Sequence, residues 1–108
     1  MPQYLLQATY TPEAWAAMVK SPQNRLEAVR PVVQKLGGKI EGGWLSFGEY
    51  DITVICELPN NVSAAAFSMA ASAGGAVKAV KTTPLMSIEE AMEAMRKAGG
   101  AGYRPPSH

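Results

Sequence analysis

The sequence predicts an α+β domain built around a four-stranded antiparallel sheet. Three observations predict it. Asp51 to Leu58 is the clearest strand, rich in β-branched residues, with Ile52, Val54, Cys56 and Leu58 all apolar on one face. Tyr4 to Tyr10 alternates in the same way, with Tyr4, Leu6, Ala8 and Tyr10 opposite Leu5, Gln7 and Thr9. Between the strands lie segments with helix start signals, Thr11-Pro12-Glu13 and Ser87-Ile88-Glu89-Glu90 among them.

In chain order, Tyr4 to Tyr10 opens the sheet. Thr11 caps the first helix, Pro12 takes its first position and Glu13 faces the positive end of the dipole; Trp15, Met18 and Val19 follow at helical spacing. Ser21-Pro22 interrupts, and Ser21 is the expected cap of a second helix with the stripe Leu26, Val29, Val33 and Leu36. Pro31 lies inside that stripe and predicts a kink, and Gly37-Gly38 ends the helix. Lys39 to Phe47 is the second strand, in which Gly42-Gly43 predicts a bulge or a close backbone approach. A tight turn using a positive φ at Gly48 leads into the third strand.

Pro59-Asn60-Asn61 is a loop signature, and Ser63 is the expected cap of an Ala/Ser helix whose large side chains are Phe67 and Met69. Ala76 to Thr83 is the fourth strand, closed by Pro84. Ser87 and Glu90 form a capping box, followed by the apolar stripe Ile88, Ala91, Met92 and Met95 and stopped by Gly99-Gly100. The domain is expected over residues 1–98, with a Gly/Pro-rich tail over 99–108 that is mobile or lies on a neighbour.

The order β-α-β-β-α-β is the ferredoxin-like arrangement, with helices on one face of the sheet and here an extra C-terminal helix. The second face is expected to carry Leu5, Gln7, Thr9, Thr53, Ile55, Val80 and either Trp44 or Leu45. That face is too apolar to be left to water, so a partner is expected, most simply a second copy facing it across a two-fold axis.

Composition limits the function classes. At 108 residues the chain is one domain. A net charge of +1 with 18% charged residues gives no electrostatic footprint for nucleic acid, and Lys78 and Lys81 are isolated on a strand. A single cysteine excludes an internal disulfide, and Cys56 falls on the core face, where a free thiol acts as a small hydrophobe. Residues 64–76 are too short and too broken by Ser and Gly to span a bilayer, and Met1-Pro2-Gln3-Tyr4 has no signal character, so no membrane partner and a cytoplasmic location are expected.

Taken together, Gly48-x-Tyr50-Asp51, the strand ending in Glu57-Leu58-Pro59, Tyr4, Tyr10-Thr11-Pro12-Glu13, Ser21-Pro22 with Arg25 three residues on, and Leu36-Gly37-Gly38-Lys39 resemble the GYD domain family. The resemblance covers residues 4 to about 97. It implies similarity to the dimeric α+β barrel proteins, and so a fold and an assembly rather than a defined activity.

Several residues have both a chemical and a structural reading. Tyr50 and Asp51 can orient a ligand or move a proton, or hold the hairpin by packing and by backbone hydrogen bonds. Arg25 can receive a ligand carboxylate, or pair with Glu27 or Asp51. Trp15, Trp44, Tyr4 and Tyr10 can line an aromatic pocket or anchor the core and an interface. Met92 and Met95 fit ordinary helix packing or a pliable ligand surface. No metal or cofactor is expected: the one histidine is His108, no ligating cluster has the right spacing, and no nucleotide-binding glycine pattern occurs. The leading expectation is a homodimer or larger homo-oligomer that binds a small organic molecule or another protein between sheet and helices, with Trp15, Arg25, Trp44 and Tyr50 as ligand contacts. The alternative is a cofactor-independent enzyme of the dimeric α+β barrel type, a monooxygenase or isomerase, using Tyr50, Asp51 and Arg25.

Overall fold

The structure is a computed structural model in which residues 1–106 are described; His108 and the end of the expected tail lie outside them. Its elements are β1 (Gln3–Tyr10), α1 (Pro12–Lys20), α2 (Arg25–Lys35), β2 (Lys39–Leu45), β3 (Ile52–Glu57), α3 (Asn61–Ala73), β4 (Val77–Leu85) and α4 (Ile88–Gly99). The four strands form one open sheet in the order β2-β3-β1-β4, and every neighbouring pair is antiparallel.

The strands bury one face because their apolar residues share a parity. Tyr4, Leu6, Ile40, Val54 and Cys56 join Leu58 on that side, and Val33 of α2 and Ala64 and Phe67 of α3 close over them. Leu26, Val29 and Leu36 complete the α2 stripe as expected. Tyr4 is a core residue, and its hydroxyl donates to Asn61 Oδ1 at 2.7 Å, tying β1 to the start of α3. At the end of α1 the expected stripe is incomplete, because Val19 is exposed while Trp15 and Met18 are half-buried.

Two helix caps differ from expectation for the same reason. Asn24, not Ser21, caps α2, its Oδ1 accepting from the N–H groups of Leu26 and Glu27; Ser21 ends α1, its N–H bonding to Ala17 O at 2.9 Å. Asn60, not Ser63, caps α3 and accepts from Ser63 N. In both cases an asparagine reaches the orphan N–H groups two or three residues ahead. Pro31 is exposed, and α2 continues past it without interruption. The end of α2 is a Schellman motif: Gly37, at φ +85°, bonds to Gln34 O and Gly38 to Val33 O.

The β2–β3 connection is longer than a tight turn. Strand pairing ends at Leu45 and Ile52, and Ser46 N donates to Asp51 O at 2.8 Å. With six residues to reverse direction the backbone needs no left-handed residue, and Gly48 does not have a positive φ. The register of β2 shifts between Ile40 and Gly42, where the glycine pair predicted it. A Cβ on Gly43 would come within 2.5 Å of Leu26 Cδ1, and one on Gly42 within 2.8 Å of Trp44 Cη2. The pair thus admits a helix side chain on one face and the Trp44 ring on the other.

In β4 the strand runs through Pro84 to Leu85 rather than stopping before it. Proline is tolerated because β4 is an edge strand. A register shift at Thr9/Tyr10 pairs Tyr10 with Val77 but Thr9 with Ala79. This moves Val80 opposite Ala8, onto the helix-covered face; Ala79, Lys81 and Thr83 take the second face instead. In β2, Trp44 pairs with Thr53 and so holds the second-face position, 58% exposed.

α4 keeps its capping box, with Ser87 Oγ accepting from Glu90 N at 3.1 Å. Its apolar stripe is largely open: Ile88, Met92 and Met95 are exposed, while Ala91 is half-buried. The radius of gyration, 17.5 Å, exceeds the roughly 13 Å of a compact domain this size, in keeping with a projecting helix. No helix among the described residues is long and apolar enough to cross a membrane.

Candidate functional site

α3 supplies mostly alanine to the sheet, and α2 places Ala28, Val29 and Val32 beside it. Such short side chains do not fill the layer between helix and sheet. A cavity of about 250 Å³ remains, bounded by Ala70 and Ala71 of α3, Val29 and Val32 of α2, and Ala8, Val54 and Val80 of the strands. Its polar lining residues are Gln7, Tyr10 and Arg25. A second cavity of about 460 Å³ lies between α1, the Pro22–Asn24 connection and the end of β2. Trp15, Met18, Leu26 and Trp44 help to line it. Tyr10, Arg25 and Ile52 line both cavities, so the two adjoin there.

Three of the four expected ligand contacts, Trp15, Arg25 and Trp44, line the outer cavity; Arg25 alone also lines the inner one, and Tyr50 lines neither. Asp51 also lines neither. Its Oδ2 accepts from Tyr10 N at 2.9 Å and from the Trp15 indole N–H at 3.2 Å, while its own N–H donates to Ala8 O at 2.8 Å. Tyr50 contributes a backbone carbonyl, which accepts from Ser46 Oγ at 2.8 Å. Asp51 thus fastens the β2–β3 turn to β1 and α1, while Tyr50 is bonded within the turn.

Arg25 pairs with neither Glu27 nor Asp51. Glu27 engages Arg30 at 3.3 Å, and Arg25 Nη1 donates to Gln23 Oε1 at 2.9 Å. Among the described residues Arg25 forms no ion pair, and it is the only charged residue lining either cavity. Tyr10 is 5% exposed; burial raises its pKa, while the neighbouring Arg25 guanidinium pulls it down less strongly. The phenol is neutral at physiological pH and keeps its proton to donate. The ring meets Trp15 edge-on, centroids 5.6 Å apart. Tyr10 is the residue that sequence reasoning left among general aromatic candidates; its position one residue before the Thr11 cap, on the core face, was the available signal.

Cys56 is fully buried, and desolvation, with a smaller contribution from Glu41, pushes its thiol up to about 11. It is inert packing. No group of three potential metal ligands forms among the described residues.

The whole arrangement lies within one known family, whose model, the GYD domain, matches residues 4–95. The chain belongs to the GYD domain family. The match spans the sheet, the first three helices and most of α4, and so includes both cavities of this GYD domain. No curated protein matches the chain.

Proposed function

We propose that this GYD domain is a homo-oligomeric binding module that takes a small organic molecule into the cavity between sheet and helices. The observation that carries the reading is the inner cavity: about 250 Å³, lined mostly by apolar residues, with Gln7, Tyr10 and Arg25 as its polar lining residues. Ligand sites have this character, and drug-sized molecules occupy about 300–1,000 Å³, so the ligand is small. The strand order β2-β3-β1-β4 with all pairs antiparallel supports a ferredoxin-like topology. The uncovered sheet face, with Leu5, Ile55 and Trp44, and the exposed stripe of α4 support a second copy as the partner, in the manner of a dimeric α+β barrel. An enzymatic role has less support, because the Asp51 carboxylate already serves two structural donors and stands outside both cavities.

Native mass spectrometry tests both parts. The expected result is a dimer or larger multiple carrying a low-mass non-covalent adduct, lost in an Ala71→Phe variant that fills the inner cavity. A monomer overturns the assembly. An adduct that persists in the filled variant overturns the location of the site.

A further inference from the structure

Arg25 occupies an unusual position for a cation. It is the first residue of α2, where the helix dipole presents its positive end and disfavours a guanidinium. The acidic residue of that first turn, Glu27, turns to Arg30 instead. Arg25 therefore sits half-buried, with no ion pair among the described residues, at the junction of two cavities that contain no other charged lining residue. A guanidinium so placed is a local conflict that an anion would resolve, and its planar donor fork matches a carboxylate. Tyr10 stands beside it with a protonated hydroxyl, a second donor facing the same space.

From this geometry we infer that the ligand is a monocarboxylate with an apolar body, its carboxylate on Arg25 and Tyr10 and its body in the inner cavity. This rests on the binding reading above and adds the charge and orientation of the ligand. The inner cavity is lined mostly by apolar residues and by no charged residue besides Arg25, so it offers nothing to a second charge. The outer cavity, with Trp15 and Trp44 on its walls, is the side from which the carboxylate end is reached.

Isothermal titration of the purified protein with octanoate and with octanamide separates the two layers of the argument, since the probes share a tail and differ in charge. Octanoate is expected to bind at least about tenfold more tightly than octanamide, the difference a charge-assisted hydrogen bond supplies. Arg25→Gln should erase that preference by weakening octanoate far more than octanamide, and Arg25→Lys should restore part of it. Circular dichroism checks that each variant is folded. Equal affinity for the two probes overturns the carboxylate inference and leaves the cavity as a binding site. A preference that survives Arg25→Gln overturns the role of Arg25. Binding of neither probe, in a protein that carries some other adduct in the mass spectrometer, overturns the ligand class alone; with no adduct either, the binding reading fails as well.

Discussion

Trp15 donates its indole N–H to Asp51 at 3.2 Å, linking α1 to the turn before β3. The same carboxylate oxygen takes the Tyr10 N–H at 2.9 Å, so one side chain fastens three segments. Hydrogen bonds to a charged acceptor contribute about 1.5–3 kcal/mol each. Asp51→Ala should therefore lower unfolding stability by about 3 kcal/mol, read from the urea midpoint at constant slope. Asp51→Asn keeps an acceptor and should lose less. Trp15→Phe should lose about 1.5 kcal/mol through the bond, and the double variant should be less than additive. Full additivity would show that the contact carries no energy.

The two glycines at the ends of the β2 region should respond in opposite ways. A Cβ on Gly38 would lie 2.2 Å from Glu57 O and 2.6 Å from Leu58 Cδ2, both parts of the packed core edge. Gly38→Ala should cost about 3 kcal/mol or more, because backbone must move to admit the methyl. Gly48 has no atom within 4 Å of its would-be Cβ and no positive φ. Gly48→Ala should leave stability within about 0.5 kcal/mol or raise it slightly by restricting the unfolded chain. Thermal denaturation of the two variants side by side decides the point.

Gly48 also marks the limit of what the residues alone revealed. The strands, the core parity of β3, the α4 capping box and the glycine stop of α2 were legible because each is a local matter of periodicity or cap chemistry. Residue type suggests a positive φ at Gly48, but loop length, not residue type, sets the turn. Ser21 and Ser63 compete as caps with asparagines standing three residues away, Asn24 and Asn60, and propensity does not rank such rivals. Simple alternation puts Val80 on the second face, but the shift at Thr9/Tyr10 belongs to a pairing between strands some seventy residues apart and is invisible in either strand. Arg25 and Trp15 were seen as candidates, but their meeting around one cavity, and the exclusion of Tyr50 and Asp51 from it, follow from tertiary packing.

The buried thiol predicts an alkaline limit to stability. In the unfolded chain Cys56 ionises near 9.0; in the fold it holds its proton to about 11. Between those values the unfolded state binds fewer protons than the native state, so stability falls as pH rises. The contribution is fully present below pH 9 and amounts to about 2–3 kcal/mol lost by pH 11. Tyr10, whose pKa is also raised above 10.0, acts in the same direction. Cys56→Ala should be less stable at neutral pH through the lost sulfur contacts, yet show a shallower decline across that window. Parallel curves for the two proteins would mean that the thiol does not titrate there. In the native protein Cys56 should also resist alkylation at pH 8 until denaturant is added.

The exposed sheet face makes the last prediction. Leu5 and Ile55 are cross-strand partners there on the two central strands, with Trp44 on β2 beside them. A lysine at position 55 would place a charge in the middle of any interface formed by that face, where an unpaired charge is strongly unfavourable. In a monomer the same lysine would extend its stem over the sheet and keep its ammonium in water, with little penalty. Ile55→Lys should thus shift the sedimentation of the protein from a multimer to a monomer without loss of the circular dichroism of the fold. Met92→Lys asks the same of α4, where Ile88, Met92 and Met95 are exposed. If both variants dissociate the assembly, sheet and helix are parts of one interface; if only Ile55→Lys does, α4 lies outside it. Unchanged sedimentation of Ile55→Lys would place the subunit contact on another surface and leave the apolar sheet face without an occupant.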